Sequence, residues 1–559
     1  MAYTEIIMAI TKIKYSNLKT SRLATKLFCT IIWFLIAGSA TAQTYSIYQN
    51  DAWNPIARVL YQPGINIHTS IRPYRNDQLA AYYNIDSLTQ RDLRKPYGHQ
   101  NIFKRFINDD LFSWETGIEP EKAIKIRINP LFHFEAGKEN SSGKSTWINM
   151  RGVMLEGELG QNLGFYADIY ENQGVYGGYM NDYIQANGIV PGQGRIKQMQ
   201  PDTRDYSQST GYLSYNAGPW INLQAGYGKN FIGDGYRSLL LSDNAYSYPY
   251  FKMTATFWKV EYMVMMSQFL HIDELVRSTD DRYDYKYGVF HYLSWNLGRR
   301  FSLGLFESVI YAAQDTTGYR GLDMNYLIPF MVYRPVEHAL GSPDNVTMGL
   351  NLKYIPWKNA ALYGQFVMGE FKQDEVFNAT KWWGNKQGFM LGYKNYSFLG
   401  INNLDVRTEY SQVRPYTYSH YEPITNYGHL NQPLAHPLGA NFRESLSTIT
   451  YRAGRWYLNL EAMIAMHGDD YDETTSYGGN IYRPNTSRPS DYGIFIGQGL
   501  KTNIQNLSGS ISFLINPKNN MNISLGGRYR KASNDVETIE NTFINLSLRT
   551  SLRNVYWNF

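Results

Sequence analysis

Apolar and polar residues alternate along this chain in segments about ten residues long, and such segments keep returning. Met521, Ile523, Leu525, Gly527 and Tyr529 interleave with Asn522, Ser524, Gly526, Arg528 and Arg530. Trp456, Leu458, Leu460, Ala462, Ile464 and Met466 interleave with Tyr457, Asn459, Glu461, Met463 and Ala465. Leu507, Gly509, Ile511, Phe513 and Ile515 continue the theme. Successive side chains of an extended strand point to opposite faces, so each segment makes a strand with one greasy face and one wet face. One such segment says little by itself. About eighteen of them, between residues 123–138 and 541–559, constrain the fold strongly.

The connections alternate as well. Every second one is tight, as at Gly160-Gln161-Asn162, Ala217-Gly218-Pro219, Trp258-Lys259, Asn296-Leu297-Gly298, Pro356-Trp357-Lys358-Asn359, Phe398-Leu399-Gly400, Gly454-Arg455 and Asn516-Pro517-Lys518-Asn519. Those between are mostly long, at 171–207, 229–250, 311–343, 412–442 and 467–499. A soluble sandwich has no reason to segregate its loops this way. An even number of antiparallel strands with short turns at one end and long loops at the other is the arrangement of a transmembrane β-barrel. The mean hydropathy is negative, yet 15% of the residues are aromatic and Tyr occurs 48 times. A wall with one face on lipid, one on water and aromatic girdles at the interfaces accounts for both.

The expected fold is therefore all-β: a transmembrane antiparallel barrel of about 18 strands, preceded by a small helical region. Residues 1–42 read as a signal peptide. Lys12, Lys14, Lys19, Arg22 and Lys26 form its basic part, residues 27–37 its apolar core, and Ala40-Thr41-Ala42 its cleavage site. Either Met1 or Met8 could start it. The single cysteine, Cys29, lies inside it. Residues 43–121 lack strand periodicity; residues 85–94 and 102–112 show helix-like spacing, which predicts a periplasmic helical region or a plug. The barrel is expected over 122–559, in the outer membrane, with both termini in the periplasm. After the signal no apolar run of about eighteen residues occurs, so a membrane helix is not available and a closed sheet is the remaining way across. In the last strand Ile544, Leu546, Leu548 and Leu552 share one face while Val555, Trp557 and Phe559 fall on the other, which predicts a bulge near Arg553.

Formal net charge is +5 and spread along the chain, so nothing points to nucleic acid. The chain has neither a Gly-x-Ser-x-Gly elbow nor a His-Glu-x-x-His motif, and a non-enzymatic role without cofactor is expected. The most unusual segment is 407–442, with His420, His429 and His436, four prolines and several tyrosines. Tyr416, Tyr418, Tyr421 and Tyr427 could offer stacking faces to a glycan, and Asn431, Gln432 and His429 hydrogen bonds. Alternatively the segment folds inward and constricts the lumen. The histidine spacings match no zinc pattern, so no metal is assigned. Residues 229–250, with Gly233, Asp234, Gly235, Arg237 and Asp243, fit neither a phosphate-binding nor a dinucleotide fingerprint. They read as a tight outer loop or one folded into the lumen. Arg204, Asp205, Arg334, Glu337, Arg407, Glu409, Arg452 and Glu461 fall in or beside strands, as paired charges lining a wet bore or as a selective path.

Three blocks carry a resemblance. They are the run from Phe231 to Asn244, Tyr333-Arg334-Pro335-Val336-Glu337, and Arg414-Pro415-Tyr416-Thr417-Tyr418-Ser419-His420 with its continuation from Asn426-Tyr427-Gly428-His429 to Asn431-Gln432-Pro433-Leu434-Ala435-His436 and Phe442. Across nearly all of the mature chain these resemble the gliding-motility RemB group of Bacteroidetes-type bacteria. More distantly, the architecture is similar to the Wzi capsule-assembly barrels, without position-by-position sugar-binding residues. The resemblance implies a barrel supporting gliding motility or surface-polysaccharide attachment through its long outer loops. Its implied partners are outer-membrane lipid, surface polysaccharide and motility or secretion proteins. The candidate ligand-binding residues are Arg237, Arg334, Glu337, Arg414, Tyr416, Tyr418, His420, His429, Asn431, Gln432 and His436. A porin or transporter channel, and an outer-membrane enzyme, are the alternatives.

Overall fold

The computed structural model describes residues 56–83, 101–116, 123–199, 202–272, 283–315, 318–326, 328–331, 344–550 and 553–559. The signal segment, residues 85–94, Arg334 and Glu337 lie outside them. Eighteen strands form the wall. They are β1 (Ile124–Glu139), β2 (Ser145–Leu159), β3 (Leu163–Val175), β4 (Arg204–Asn216), β5 (Ile221–Gly228) and β6 (Tyr248–Phe257). Next come β7 (Val260–His271), β8 (Asp284–Leu297), β9 (Phe301–Ala312), β10 (Asn345–Tyr354), β11 (Ala360–Met368) and β12 (Gln387–Tyr396). The circuit ends with β13 (Leu404–Val413), β14 (Phe442–Ala453), β15 (Trp456–Asp469), β16 (Leu500–Asn516), β17 (Met521–Ser533) and β18 (Thr538–Arg549). Each pairs antiparallel with its neighbour, and β18 pairs with β1 through Phe543↔Glu139 to Arg549↔His133, which closes the cylinder. The tight connections named above fall on one rim and the long loops on the other, where two short connections, 140–144 and 534–537, also lie.

The alternation seen in the sequence sorts the side chains. Leu213, Phe251, Leu305, Leu350, Leu391, Leu458, Ile511, Leu525, Ile544 and Leu546 stand exposed on the outside of the cylinder. Their strand neighbours Ser214, Lys252, Asn351, Lys394, Asn459, Ser512, Ser524 and Asn545 point into the bore. A closed sheet leaves no unpaired edge, so an apolar exterior of this kind is compatible with lipid.

The end of the wall departs from the expected register. β18 stops at Arg549. Thr550 makes the last wall contacts, donating to the Phe132 carbonyl and accepting from the Phe132 amide, both at 2.9 Å. Residues 553–559 then turn back into the lumen. The off-parity pattern of Val555, Trp557 and Phe559 therefore reflects a departure from the sheet, not a bulge near Arg553. The vacated flank of β1 is taken by Phe112–Thr116, which pairs with Ile124–Ile128.

The lumen is filled from several directions. Residues 56–83, with short helices Ala57–Leu60 and Asn76–Ala80, sit at the short-turn rim. Gly64 donates to the Arg299 carbonyl (2.8 Å), and Asn359 donates to that of Tyr61 (3.0 Å). Ile71–Arg72 pairs with Phe231–Ile232, so this segment and loop 229–247 form a two-stranded ladder inside the barrel. Loop 414–441 lies against loop 229–247 from the long-loop side. The predicted helix over 102–112 is Ile102–Asn108, held at the short-turn rim by Asn516, whose amide donates to the Phe106 and Asp109 carbonyls.

Candidate functional site

Two arrangements stand out: a polar plug inside the lumen and an aromatic platform on the long-loop rim. The plug is built around loop 229–247. Gly233 has a positive φ of 144°, and a side chain there would run into Gln365. That turn places Asp234 where it accepts from Tyr61 Oη (3.1 Å), Thr69 Oγ1 (2.5 Å) and Asn351 Nδ2 (3.0 Å), while Lys353 Nζ stands 4.0 Å away. Three residues on, the Arg237 side chain is fully buried. It donates from Nη2 to Glu444 Oε1 (2.9 Å), to Asn558 Oδ1 (2.9 Å) and to the Asn558 carbonyl (3.0 Å). His436 Nε2 completes the group at 2.8 Å from Glu444 Oε2. One guanidinium thus joins loop 229–247, wall strand β14, loop 414–441 and the tail. A buried charge is tolerated only when paired and hydrogen-bonded, and this one is both.

Loop 414–441 is pinned by its tyrosines. Tyr418 Oη donates to the Leu239 carbonyl (2.7 Å) and Tyr427 Oη to that of Leu240 (2.6 Å). These hydroxyls satisfy acceptors that irregular backbone in a filled lumen leaves without a ladder partner. Tyr416 Oη donates to the Ser476 carbonyl (2.9 Å). Gln432 is buried opposite His429 in a two-residue ladder. Arg414 donates to the carbonyls of Asn385 (2.8 Å) and Trp382 (3.1 Å), and Asn431 lies part-exposed beside them in sequence only. Of the sequence candidates, then, Arg237, Tyr416, Tyr418, His420, His429, Gln432 and His436 are buried, and all but Gln432, whose Oε1 has no hydrogen-bond partner among the described residues, bond through their side chains to backbone or to neighbouring side chains. The inward-folded alternative is the arrangement adopted. Of the four tyrosines proposed as stacking faces, Tyr421 alone is exposed.

His429 accepts at Nδ1 from the Leu270 amide (3.0 Å), so its proton resides on Nε2, 3.2 Å from the Ser247 carbonyl. Burial pushes its pKa down to about 3 and that of His420 to about 4. In an expelled loop both would titrate near 6.5, roughly the ordinary value. The seated loop binds fewer protons than the expelled one below that pH. Its stability is therefore complete above about pH 6.5 and falls as the pH drops toward 4 and then 3. Cleavage of this loop by an acid-active protease is expected to accelerate between roughly pH 6 and pH 4, with the wall intact. A cleavage rate that tracks only the protease's own pH profile rules this out.

The rim platform joins three loops. Ile494 donates to the Lys381 carbonyl (3.0 Å) and Trp383 to that of Asp491 (2.9 Å), locking loop 470–499 to loop 369–386. The Arg414 bonds add the base of loop 414–441. Arg488 lies 4.0 Å over the Trp383 ring and pairs with Asp491 at 2.6 Å. Around this lock Phe371, Phe377, Tyr421, Tyr471, Tyr492 and Phe495 are exposed, Phe377 by 77%. Residues 369–386 form a long connection that the sequence pattern does not mark. The Trp382-Trp383 pair between Lys372 and Lys386 was the available signal.

No family model and no curated protein sequence matches the chain. Among solved structures, Wzi of Escherichia coli, an outer-membrane protein involved in group 1 capsule assembly and a carbohydrate-binding β-barrel, is similar over 91% of this chain and 99% of its own, with a TM-score of 0.51 and 13% identity. The two chains share a fold. OprD of Pseudomonas aeruginosa covers 78% of this chain and 96% of its own at 9% identity and a TM-score of 0.41. OccK7 of the same organism covers 76% and 98% at 9% identity and a TM-score of 0.41.

Proposed function

We propose that this protein is an integral outer-membrane barrel that binds surface polysaccharide at its long-loop rim, with both ends of the wall on the periplasmic side. Its role is retention or organisation of that polysaccharide, in support of capsule attachment or gliding motility, and it is not catalytic. The observation that carries the reading is the platform of exposed aromatic rings on interlocked loops. Rigid aromatic faces stack on the apolar faces of sugar rings at small entropic cost. The filled lumen favours binding over conduction, and the shared fold with a carbohydrate-binding barrel agrees with the choice. The sequence resemblance to gliding-motility proteins supplies the motility half of the reading.

Binding of the producing cell's own surface polysaccharide to the purified barrel in lipid nanodiscs tests it. Phe377→Ala and Tyr492→Ala are each expected to weaken binding by about 1 kcal/mol, roughly fivefold, and the pair by more than tenfold. Both side chains are exposed, so thermal unfolding should not move. Unchanged affinity in the double variant overturns the proposal.

A further inference from the structure

A cavity of about 270 Å³ lies in the lumen on the side away from loop 229–247. Its wall is formed by β1, β2 and β15 to β18, and its inner side by the tail around Arg553, Val555 and Trp557. At about 30 Å³ per water this is room for roughly nine waters, the size of one or two sugar rings. The wall is set with short polar side chains, Ser508, Ser510, Ser524, Ser547 and Asn545, and Trp557 and Tyr176 present rings to the same space.

The charge of the lining is one-sided. Arg528, Arg549 and Arg553 face a single carboxylate, Glu135, whose Oε2 is 3.3 Å from His133 Nε2. Arg553 is tied to Asp168 at 2.7 Å. The other two have neutral partners. Arg528 donates from Nη1 to Tyr179 Oη (3.0 Å) and the Trp557 carbonyl (3.4 Å), and Arg549 donates from Nε to Asn522 Oδ1 (3.3 Å). Among the described residues no carboxylate lies within ion-pair distance of either guanidinium. Arg549 stands opposite Asn522 at the short-turn end of the wall, and Arg528 lies further along the same inner face of β17, roughly 20 Å away at ~3.3 Å per residue. Two guanidinium forks whose direct partners are neutral, in a lining where three arginines outnumber the one carboxylate, Glu135, stand at the two ends of a polar cavity with an aromatic side and form a receptor for an oxyanion on a hydroxylated scaffold.

We propose that this cavity binds an acidic sugar, one bearing a carboxylate or a phosphate group, at a site separate from the rim platform. The anion pairs with Arg528 or Arg549, the hydroxyls bond to the serines and Asn545, and the ring lies against Trp557. This site goes beyond the surface-binding reading and stands independently of it.

Calorimetric titration of the full-length barrel in detergent with glucuronate, glucose 1-phosphate and glucose tests the proposal. Both acids are expected to bind at least tenfold more tightly than glucose. A response to one acid alone identifies the anionic group. Either Arg528→Met or Arg549→Met should lower acid binding by tenfold or more, according to which guanidinium holds the anion, while lysine at that position retains part of it and Phe377→Ala, on the rim, leaves it unchanged. Retention of the heat-modifiable folded band on gels separates lost binding from lost folding. Equal binding of glucose and the acids, no saturation by roughly 10 mM, or wild-type binding by folded Arg→Met variants overturns the proposal. Loss of rim binding with the cavity site intact sinks the surface reading alone.

Discussion

A barrel from which residues 414–441 have been removed is expected to conduct ions, where the intact protein stays silent in planar bilayers. Val413 and Phe442 are register partners in β13 and β14, so a tight turn can join them without straining the wall. What the deletion removes is the clamp on loop 229–247. Tyr418, Tyr427, Leu434 and Leu438 are buried against that loop and its surroundings, and each buried side chain of this size is worth about 1.5–3 kcal/mol. Their loss also strands the Leu239 and Leu240 carbonyls and the Lys286 amine, which donates to Asn426 at 2.7 Å. The remaining loop keeps its anchors at Asp234 and Arg237 but loses its cover on the long-loop side, where water should enter. Single-channel recording gives the answer: a folded deletion variant as silent as the parent shows that residues 56–83 and loop 229–247 close the lumen by themselves.

Glu444→Ala is expected to cost about 3–5 kcal/mol, read as a lower denaturant midpoint for loss of the folded band on unheated gels. The side chains of Arg237 and Glu444 are essentially inaccessible to water. Removing the carboxylate leaves a guanidinium deep in the lumen with amide and carbonyl oxygens, the Met463 sulfur and the Tyr556 ring but without its paired carboxylate, and it strips His436 of its acceptor. The double replacement Arg237→Met with Glu444→Leu should recover most of the loss, because a well-packed apolar pair needs no desolvation. A single variant as stable as the parent means that the pair is not the lynchpin of the plug, whatever its geometry.

The wall was legible in the sequence because its two periods are enforced by physics. Lipid outside and water inside require alternation along Trp456–Asp469 and Met521–Ser533, and antiparallel neighbours permit the tight turns that gather at one rim. The tail was misread for an equally physical reason. Ile544, Leu546 and Leu548 follow the wall's parity, and the aromatic ending then invited continuation; the residues that broke parity were the ones leaving the sheet. The plug was half legible. Gly233, Arg237, His429 and His436 were singled out, but sequence carries no mark for the direction in which a loop folds. A cylinder of this many strands is too wide for wall side chains to fill, so long loops rich in Tyr, Asn and Gly can be drawn inward where their polar groups find each other. The platform residues Phe377 and Tyr492 sit in loops without periodicity, and only the contacts between 369–386 and 470–499 reveal that they share a surface.

The flank of β1 that completes the circle is stitched by two different pieces of chain. Seven register pairs join it to β18 and five to Phe112–Thr116, where its other flank holds fifteen to β2. Phe543 lies 404 positions after Glu139 in the chain (543 − 139), so this join carries the largest closure entropy of any in the wall and returns few hydrogen bonds for it. It is expected to be the last stitch made as the protein matures.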